Sequence, residues 1–443
     1  MKENRQKSLL DNFLHSQTSG SIVLMLAAVA AVILANSPWA DLYQKLAHLK
    51  IGTYINGTEY YLSLDHWVKD GLMSIFFFVV GLEIKREIVV GELSTVKKAA
   101  LPVVAAFGGA ALPAIIYFAF NPGGAAASGW GIPMATDIAF ALGLLALFGS
   151  RVPIGLKVFL TALAIADDLM AVVVIALFYT AKINILALIA AFVLLALLGF
   201  VVRQNMRRPV LMFSLIFAVW LCVFLSGIHA TIAGVLMALI IPVRATIDPE
   251  KFFTILRRHE TLLQRQTLTR DSMVDDKAQR HAIEQIYMAS EKMIPAGIRL
   301  EEDLHPIQAF MILPLFALFA TGVTLDSSTL AGFPNMVSMG IILGLMLGKQ
   351  VGIFGFAWLV VKTGLSELPS GVTWGQLWGV SILGGIGFTM SIFISELAFS
   401  DARMIEDAKI AIFVASILAG ILGWVVLHFL LPRKGTVVES ADH

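Results

Sequence analysis

The sequence contains very little cysteine and very little charge. Cys222 is the only cysteine among the 443 residues, which excludes an internal disulfide and a cysteine metal cluster. It lies in an apolar run, where packing is enough to explain it. Charged residues make up only 14% of the chain, whereas soluble domains contain about one quarter. This shortage of charge excludes an ordinary soluble domain.

The charge balance and the apolar content limit the class of protein further. A net charge of +1 argues against a nucleic-acid partner. With 58% hydrophobic residues and a mean hydropathy of +0.82, the chain is expected to be an all-α polytopic membrane protein surrounded by lipid. The basic N-terminus (Lys2, Arg5, Lys7) before an apolar run at 21–35 resembles a signal peptide. Because many apolar runs follow, a first transmembrane helix is the better interpretation.

A helix that spans a bilayer needs about 20 mainly apolar residues. By this measure the sequence contains about twelve spans, which are numbered here in chain order. Their expected bounds are 19–37, 67–85, 99–120, 125–147, 155–180, 184–202, 209–226, 228–244, 305–324, 336–361, 374–397 and 406–431.

Loop charge predicts the orientation of these spans, because cytoplasmic loops are rich in lysine and arginine. The N-terminus, the second, fourth, sixth and eighth loops and the C-terminal tail are basic, whereas the odd-numbered loops are poorer in basic residues. Lys362 is the only basic residue of the tenth loop, so that loop gives the weakest indication of the orientation. Both termini are therefore expected to be cytoplasmic.

Two loops are expected to have structure of their own within a single membrane transporter domain, 1–443. Residues 51–64 predict an extracytoplasmic β-hairpin, because Asn56-Gly57 suits a tight type I′ turn. An isolated hairpin is only marginally stable, so a second protomer is the candidate that would supply a partner edge. Residues 245–303 form a long charged cytoplasmic loop, interpreted as a solvated extension rather than a regulatory domain.

Two spans carry helix breakers near their centres. Span 4 contains Gly131, Pro133 and Gly143, and span 11 contains Gly-Gly-Ile-Gly at 384–387. Broken backbone at membrane depth survives only where it lines a cavity or is buried in protein. Since these are the middle spans of triplets 3–5 and 10–12, which would run in opposite senses, they predict discontinuous helices in an inverted-topology repeat.

Four charged groups lie near the centres of their spans: Asp137, Asp167, Asp168 and Lys349. Carboxylates at this depth are costly, so the default interpretation is a cation or proton site. Successive helix residues point about 100° apart, so one of the adjacent aspartates should face the ion and the other a positive group, for which Lys349 is the evident candidate. A purely structural Asp–Lys pair is the alternative. Thr136 is either an ion ligand or bonded to a helix carbonyl.

Several long motifs closely resemble those of the NhaA family of bacterial sodium/proton antiporters, over residues 10 to 432. They are Ala-Thr136-Asp137-Ile-Ala-Phe-Ala-Leu-Gly, Asp167-Asp168, Gly-Leu-Glu83-Ile-Lys-Arg-Glu87, Gly227-Ile-His229-Ala-Thr-Ile-Ala-Gly and Gly385-Ile-Gly-Phe-Thr-Met-Ser-Ile-Phe-Ile. The resemblance implies an electrogenic, pH-regulated exchange of cytoplasmic sodium or lithium for external protons. It also implies a bacterial inner-membrane location and a homodimer joined by the hairpin.

The resemblance also implies roles for individual residues. Asp168 would be the main sodium or lithium ligand and proton carrier, with Asp167 as a close associate. Asp137 and Thr136 would lie at the crossing of the broken helices. Lys349 would pair with Asp167 or offset the negative helix ends. The positions tied to the pH response are Glu83, Glu87, Glu301 and His229, and Asp70 matches an acid near the outer end of span 2.

The chain departs from the family pattern at Gln350, where proline is expected, at or near Glu302, where a histidine is replaced by acid, and in its longer eighth loop. These departures put the pH profile in doubt but leave the ion-binding core intact. Two rivals remain: an intramembrane aspartyl protease and a sodium-coupled symporter of an organic acid. The protease motifs are missing and a lysine would not suit its dyad, so we expect a transporter without a catalytic residue and without a cofactor besides the transported ions.

Overall fold

A computed structural model of the chain describes residues 17–55, 58–180, 183–204, 208–264, 276–324 and 332–432. Span 1 is Gln17–Ala35, span 3 is Val96–Phe120, span 5 is Ile154–Phe178 and span 6 is Ile185–Arg203. Span 2 consists of Leu64–His66, Trp67–Leu72 and Met73–Val89, and span 4 of Ala125–Met134 and Ile138–Ala146. Span 7 is Pro209–Leu225, span 8 is Thr231–Ala238 and span 12 is Ala402–Leu430. Span 9 consists of Ala296–Ile307, Gln308–Ile312 and Leu313–Ala320, and span 10 of Met336–Leu343, Gly344–Gly348 and Lys349–Lys362. Span 11 consists of Trp374–Leu383 and Phe388–Ala398.

These helices confirm a polytopic helical membrane protein. In the described ranges, eight helices are long and apolar enough to cross a bilayer, or nine if the bent pair of span 11 counts as one. The other three predicted spans do not form helices that are both long enough and apolar enough, each for a different physical reason. Span 2 carries several charged residues, span 7 is short, and the helix of span 8 has eight residues rather than filling 228–244. Gly227, with φ of +84°, and Pro242 interrupt the chain on either side of this short helix.

Both loops contain regular secondary structure, and the predicted β-hairpin is present. Strands β1 (Lys50–Ile55) and β2 (Thr58–Ser63) pair antiparallel, with Lys50 opposite Ser63; the predicted turn at 56–57 lies outside the described residues. In the long loop, helices Pro249–Gln264 and Lys277–Met293 pack against each other. Span 9 begins at Ala296, earlier than predicted, so the loop ends before 303. Dimerisation through the hairpin stays a prediction.

Buried apolar side chains form one large core, to which both broken helices and spans 1, 2 and 9 contribute. A separate cluster joins spans 6, 7 and 8. A third, small cluster joins span 2 to span 8 through Leu82 and Ala238. Span 2 therefore contacts both the main core and the bundle that includes span 8, which matters for the cavities described below.

Spans 3 and 10 approach closely and run antiparallel. A Cβ atom at Gly352 would lie 2.2 Å from the carbonyl oxygen of Gly108. Further along span 3, Pro113 faces Gly348 and Tyr117 faces Gly340. Residue numbers therefore increase along span 3 in the direction in which they decrease along span 10. Small residues at such contacts let membrane helices approach each other backbone to backbone. The opposite directions of these two spans agree with the predicted inversion of the two triplets.

This contact predicts that Gly352→Ala destabilises the fold. The added Cβ would overlap a backbone carbonyl that cannot move alone, so we expect a loss of about 1–3 kcal/mol, measured as a lower midpoint of thermal unfolding in detergent. Gly355→Ala, on the same helix, is the matched control, since a Cβ there has no neighbour within 4 Å. Equal midpoints for both variants would contradict the close approach.

Candidate ion-binding site

The two broken helices cross each other antiparallel. The Ser128 hydroxyl donates to the Ala398 carbonyl (2.8 Å), and the Ser391 hydroxyl donates to the Ile132 carbonyl (2.9 Å). At the break itself, the Asp137 amide donates to the Ile386 carbonyl (2.7 Å). Backbone groups that the interrupted helices leave unpaired are thus partly satisfied by the opposite broken helix.

Asp137 lies where two helix N-termini meet. One carboxylate oxygen accepts the Phe140 amide (3.1 Å), and the other accepts the Thr389 amide (3.0 Å) and the Thr389 hydroxyl. Helix N-termini carry unpaired donors and partial positive charge, so these contacts stabilise a buried carboxylate. Thr136 donates to the Gly384 carbonyl (2.9 Å), which belongs to the other broken helix rather than to its own.

Asp167 and Lys349 form a buried ion pair. The Lys349 Nζ atom lies 2.7 Å from Oδ2 of Asp167, and the exposed fractions of the two residues are 0% and 4%. Lys349 directly follows a π-helical turn, Gly344–Gly348, a feature frequent at functional sites. Of the two placements that the resemblance implied for this lysine, the structure has the pairing with Asp167.

Asp168 faces a different environment from its neighbour. It lines a cavity of about 310 Å³, here called the inner cavity, together with Asp137, Thr161 and Thr389. Asp168 is 3% exposed, and its Oδ2 atom has no hydrogen-bond partner among the residues that the structure describes. The adjacent aspartates therefore diverge as the helix period predicts, one toward lysine and one toward the cavity.

An acidic cluster with one arginine lines the other part of the inner cavity. Glu83, Arg86, Glu301 and His305 all belong to its lining. Arg86 pairs with Glu301 (3.1 Å) and with Glu87 (2.6 Å). Three of the four residues predicted for the pH response are thus gathered at one place. This cluster and Asp168 share a single cavity.

The fourth such residue, His229, lies elsewhere. Its Nε2 atom is 2.8 Å from the Tyr179 carbonyl oxygen. It lines a second cavity of about 390 Å³, here called the outer cavity, with Lys69, Asp70 and Glu396. The two cavities have no lining residue in common. The four predicted residues are therefore not one cluster.

Sequence reasoning gave no role to several residues that line the inner cavity. Thr161 precedes Asp168 by seven residues, or about two helix turns, so the same-face spacing could have identified it. Thr389 follows the glycine-rich break, and the break itself was the available signal. Gln308 and His305 also line the cavity, and no periodic pattern distinguishes them. In the described ranges, no group of three or more His, Cys, Asp or Glu side chains is arranged to hold a metal ion.

Broken helices that cross within a polytopic helical bundle are the architecture of secondary transporters built on inverted repeats. Residues 11–427 match the model of the family described as Na+/H+ antiporter 1, and the chain belongs to this family.

Individual relatives are similar over almost their whole length. A protein of Acidithiobacillus ferrooxidans named Na(+)/H(+) antiporter NhaA is 46% identical, covering 97% of this chain and 99% of its own. Proteins with the same name from Oleidesulfovibrio alaskensis (45% identical; 97% and 95% covered) and Sulfurimonas denitrificans (44%; 95% of both) are similar as well. The resemblance predicted from the motifs is confirmed.

The buried pair predicts a large stability loss in Lys349→Ala. Removing the lysine leaves Asp167 as a buried carboxylate without its partner, which costs about 3–5 kcal/mol. We expect a markedly lower thermal midpoint in detergent, with substantial recovery in Asp167→Asn/Lys349→Ala because that variant removes both charges. Lys157→Ala, which removes an exposed lysine, controls for charge. A Lys349→Ala midpoint equal to this control would contradict a structural contribution of the pair.

Proposed function

We propose that this protein is a secondary active antiporter that exchanges cytoplasmic sodium or lithium for external protons. The observation that carries the proposal is the position of Asp168, a buried carboxylate in the wall of the inner cavity with no cationic side chain paired to it among the described residues. The names of the relatives support sodium and protons as the exchanged ions.

In this proposal, a sodium ion and a proton compete for the Asp168 carboxylate. The oxygens bind either species, but the ion and the proton cannot occupy the same carboxylate together. A bound proton removes the negative charge that attracts sodium, and a bound sodium ion disfavours protonation. Loading from one side therefore displaces what was loaded from the other side, and competition alone produces exchange.

Asp167, Asp137 and Thr136 shape the surroundings of Asp168. Asp167 is neutralised by Lys349, and Asp137 by the two helix N-termini, so neither needs a transported ion for compensation. Thr136 ties the break of span 4 to that of span 11. Asp167 is close enough in sequence to assist when an ion is bound, as an associate rather than the principal ligand.

Access alternates between the two sides of the membrane. The inner cavity opens the site toward the end of span 2 that carries Glu83 and Arg86, which loop charge predicts to be cytoplasmic. Rocking of one helix bundle against the other would close this cavity and open the opposite side. More protons than sodium ions per cycle would make the exchange electrogenic, so that the membrane potential drives it.

The pH response is assigned to Glu83, Glu87 and Glu301 around Arg86. Glu83 and Glu301 line the inner cavity with Asp168, and Glu87 pairs with the same arginine, so a change of charge in this cluster alters the potential that an entering cation meets. His229 contacts the Tyr179 carbonyl at the outer cavity and would contribute separately from this cluster. The protein would act in the bacterial inner membrane, with cytoplasmic termini, as a homodimer joined through β1 and β2, and would need no cofactor.

The two rival functions fit the site less well. An aspartyl protease needs two aspartates that share a water molecule, but both oxygens of Asp137 accept hydrogen bonds from backbone amides. An organic-acid symporter needs a free cation for the substrate carboxylate. Lys349 is engaged by Asp167, and Arg86 by Glu87 and Glu301.

Asp168→Asn tests the ion site. The amide keeps the size of the side chain but cannot carry a negative charge or exchange a proton, so sodium-driven proton movement in everted vesicles should fall at least a hundredfold, the scale expected for losing about 3 kcal/mol of charge stabilisation. Asp248→Asn removes an exposed carboxylate and should leave exchange unchanged. A normal rate in Asp168→Asn would overturn the proposal.

Glu301→Gln tests the pH response. Removing one of several like charges eases the ionisation of those that remain, so the pH of half-maximal exchange should fall, by about 0.5 unit or more. Glu367→Gln removes an exposed carboxylate, 86% exposed, and serves as the matched control. An unchanged pH profile in Glu301→Gln, with the maximal rate retained, would remove Glu301 from the response.

A further inference from the structure

Both cavities lie along one seam between spans 2 and 11. The inner cavity is bounded by Val80 of span 2 and Met390 of span 11. The outer cavity is bounded by Lys69 of span 2 and by Phe393 and Glu396 of span 11. Moving along either helix therefore leads from the lining of one cavity to that of the other. The contacts across this seam decide which cavity communicates with the ion site.

Aromatic side chains close the seam between the cavities. Phe77 of span 2 and Phe316 of span 9 both contact Phe393 of span 11, with ring centroids 5.8 Å and 6.1 Å away. All three are buried, with exposed fractions of 2% or less. Packed rings of this kind exclude water, but apolar contacts are not directional. They do not by themselves hold two helices at a fixed separation.

A chain of ion pairs crosses the seam beyond these rings. The Lys69 Nζ atom lies 3.0 Å from Oε1 of Glu396, and the Lys409 Nζ atom lies 2.9 Å from the same oxygen. Lys69 also pairs with Asp65 at 3.4 Å. The Lys69, Glu396 and Lys409 side chains are 23%, 12% and 10% exposed, so salt screens them less than surface pairs.

The two pairs of Glu396 join different parts of the molecule. Lys409 lies on span 12, so its pair with Glu396 connects two helices of the same triplet, 10–12. Lys69 lies on span 2, so its pair connects that triplet to a helix outside it. Lys69 also lies within a π-helical turn, Trp67–Leu72, which changes the direction of the side chains that follow.

The same ion pairs reach the β-hairpin. Strand β2 ends at Ser63, whose hydroxyl donates to the Asp65 carboxylate. Hydrogen bonds and ion pairs then run from Ser63 through Asp65, Lys69 and Glu396 to Lys409. The segment that follows the hairpin is thus connected by polar contacts to the second half of the broken helix 11.

We propose that the Lys69–Glu396 pair is a latch that holds the outer end of the seam closed and must break when the ion site opens to the outer side. The Lys409–Glu396 pair remains intact in both states, because its two helices move together. This inference rests on the proposed exchange by alternating access. Partly buried pairs of this kind bias a two-state equilibrium by a modest factor and can break in every cycle.

The latch is tested by labelling a cysteine from each side of the membrane. The parent carries Cys222→Ser and Met390→Cys, which places the only thiol in the inner cavity one helix turn from Phe393. A membrane-impermeant thiol reagent is applied to vesicles of both orientations. In Lys69→Gln and in Glu396→Gln, outer-side labelling should become about fivefold faster, the factor expected for losing one such pair, while inner-side labelling slows.

Lys409→Gln is the matched control, since it removes a lysine from the same glutamate without cutting the link to span 2; its outer-side labelling should stay within about twofold of the parent. Lys69→Arg keeps a cation beside both Glu396 and Asp65 and should retain the parental rate. Equal acceleration in Lys409→Gln and Lys69→Gln, or no acceleration in Lys69→Gln, would overturn the latch.

Hydrogen–deuterium exchange of peptides that cover 64–72 and 388–398 in the full chain is a second readout, which needs no reporter cysteine. Faster exchange in Lys69→Gln but not in Lys409→Gln is the expected result, and equal exchange in both would count against the latch. Sodium/proton exchange is measured in parallel on the unmodified chain. Its absence there would overturn the proposed function, whereas normal exchange with unchanged labelling would overturn the latch alone.

Discussion

The cost of burying negative charge in an apolar interior governs the arrangement of this protein. Asp137, Asp167 and Asp168 are each at most 4% exposed, and an isolated buried carboxylate is strongly unfavourable. Two of them are compensated in this structure, Asp137 by helix N-termini and Asp167 by Lys349. Asp168 lines the cavity without such a partner among the described residues. We propose that an exchangeable cation or proton compensates it.

The helix breaks follow from the same constraint. If span 4 were unbroken, the backbone amides near Asp137 would be hydrogen-bonded within their own helix. The break leaves amides free to donate to the carboxylate. Antiparallel packing of spans 3 and 10 through glycine brings the two triplets close enough for the breaks to meet. The same packing positions Lys349 beside span 5. Helix directions, glycine contacts and charge compensation therefore depend on one another.

Much of this site could be predicted because charge is so rare in the sequence. Lys349 was the only cation near the depth of Asp167 and Asp168, so their pairing followed from position and helix period. Glycine-rich breaks in corresponding spans indicated the crossing. Thr161 and Thr389 were missed because threonine is common in apolar helices and its hydroxyl is usually bonded locally.

Other features depend on contacts between distant segments, which no local pattern reports. The separation of His229 from Glu83 depends on which ends of spans 2 and 8 face each cavity. Glu396 and Lys69 are far apart in the chain, and each alone resembles an ordinary residue at a helix end. The length of the span 8 helix was overestimated because the apolar run continues past its last helical residue, Ala238.

The central claim is that sodium and protons compete for one buried carboxylate. It is tested most directly by adding sodium or lithium to the purified protein in weakly buffered detergent solution and recording proton release. The account predicts release at pH values where Asp168 is protonated, saturating with ion concentration and absent in Asp168→Asn. Saturable sodium binding without proton release at every pH would contradict it.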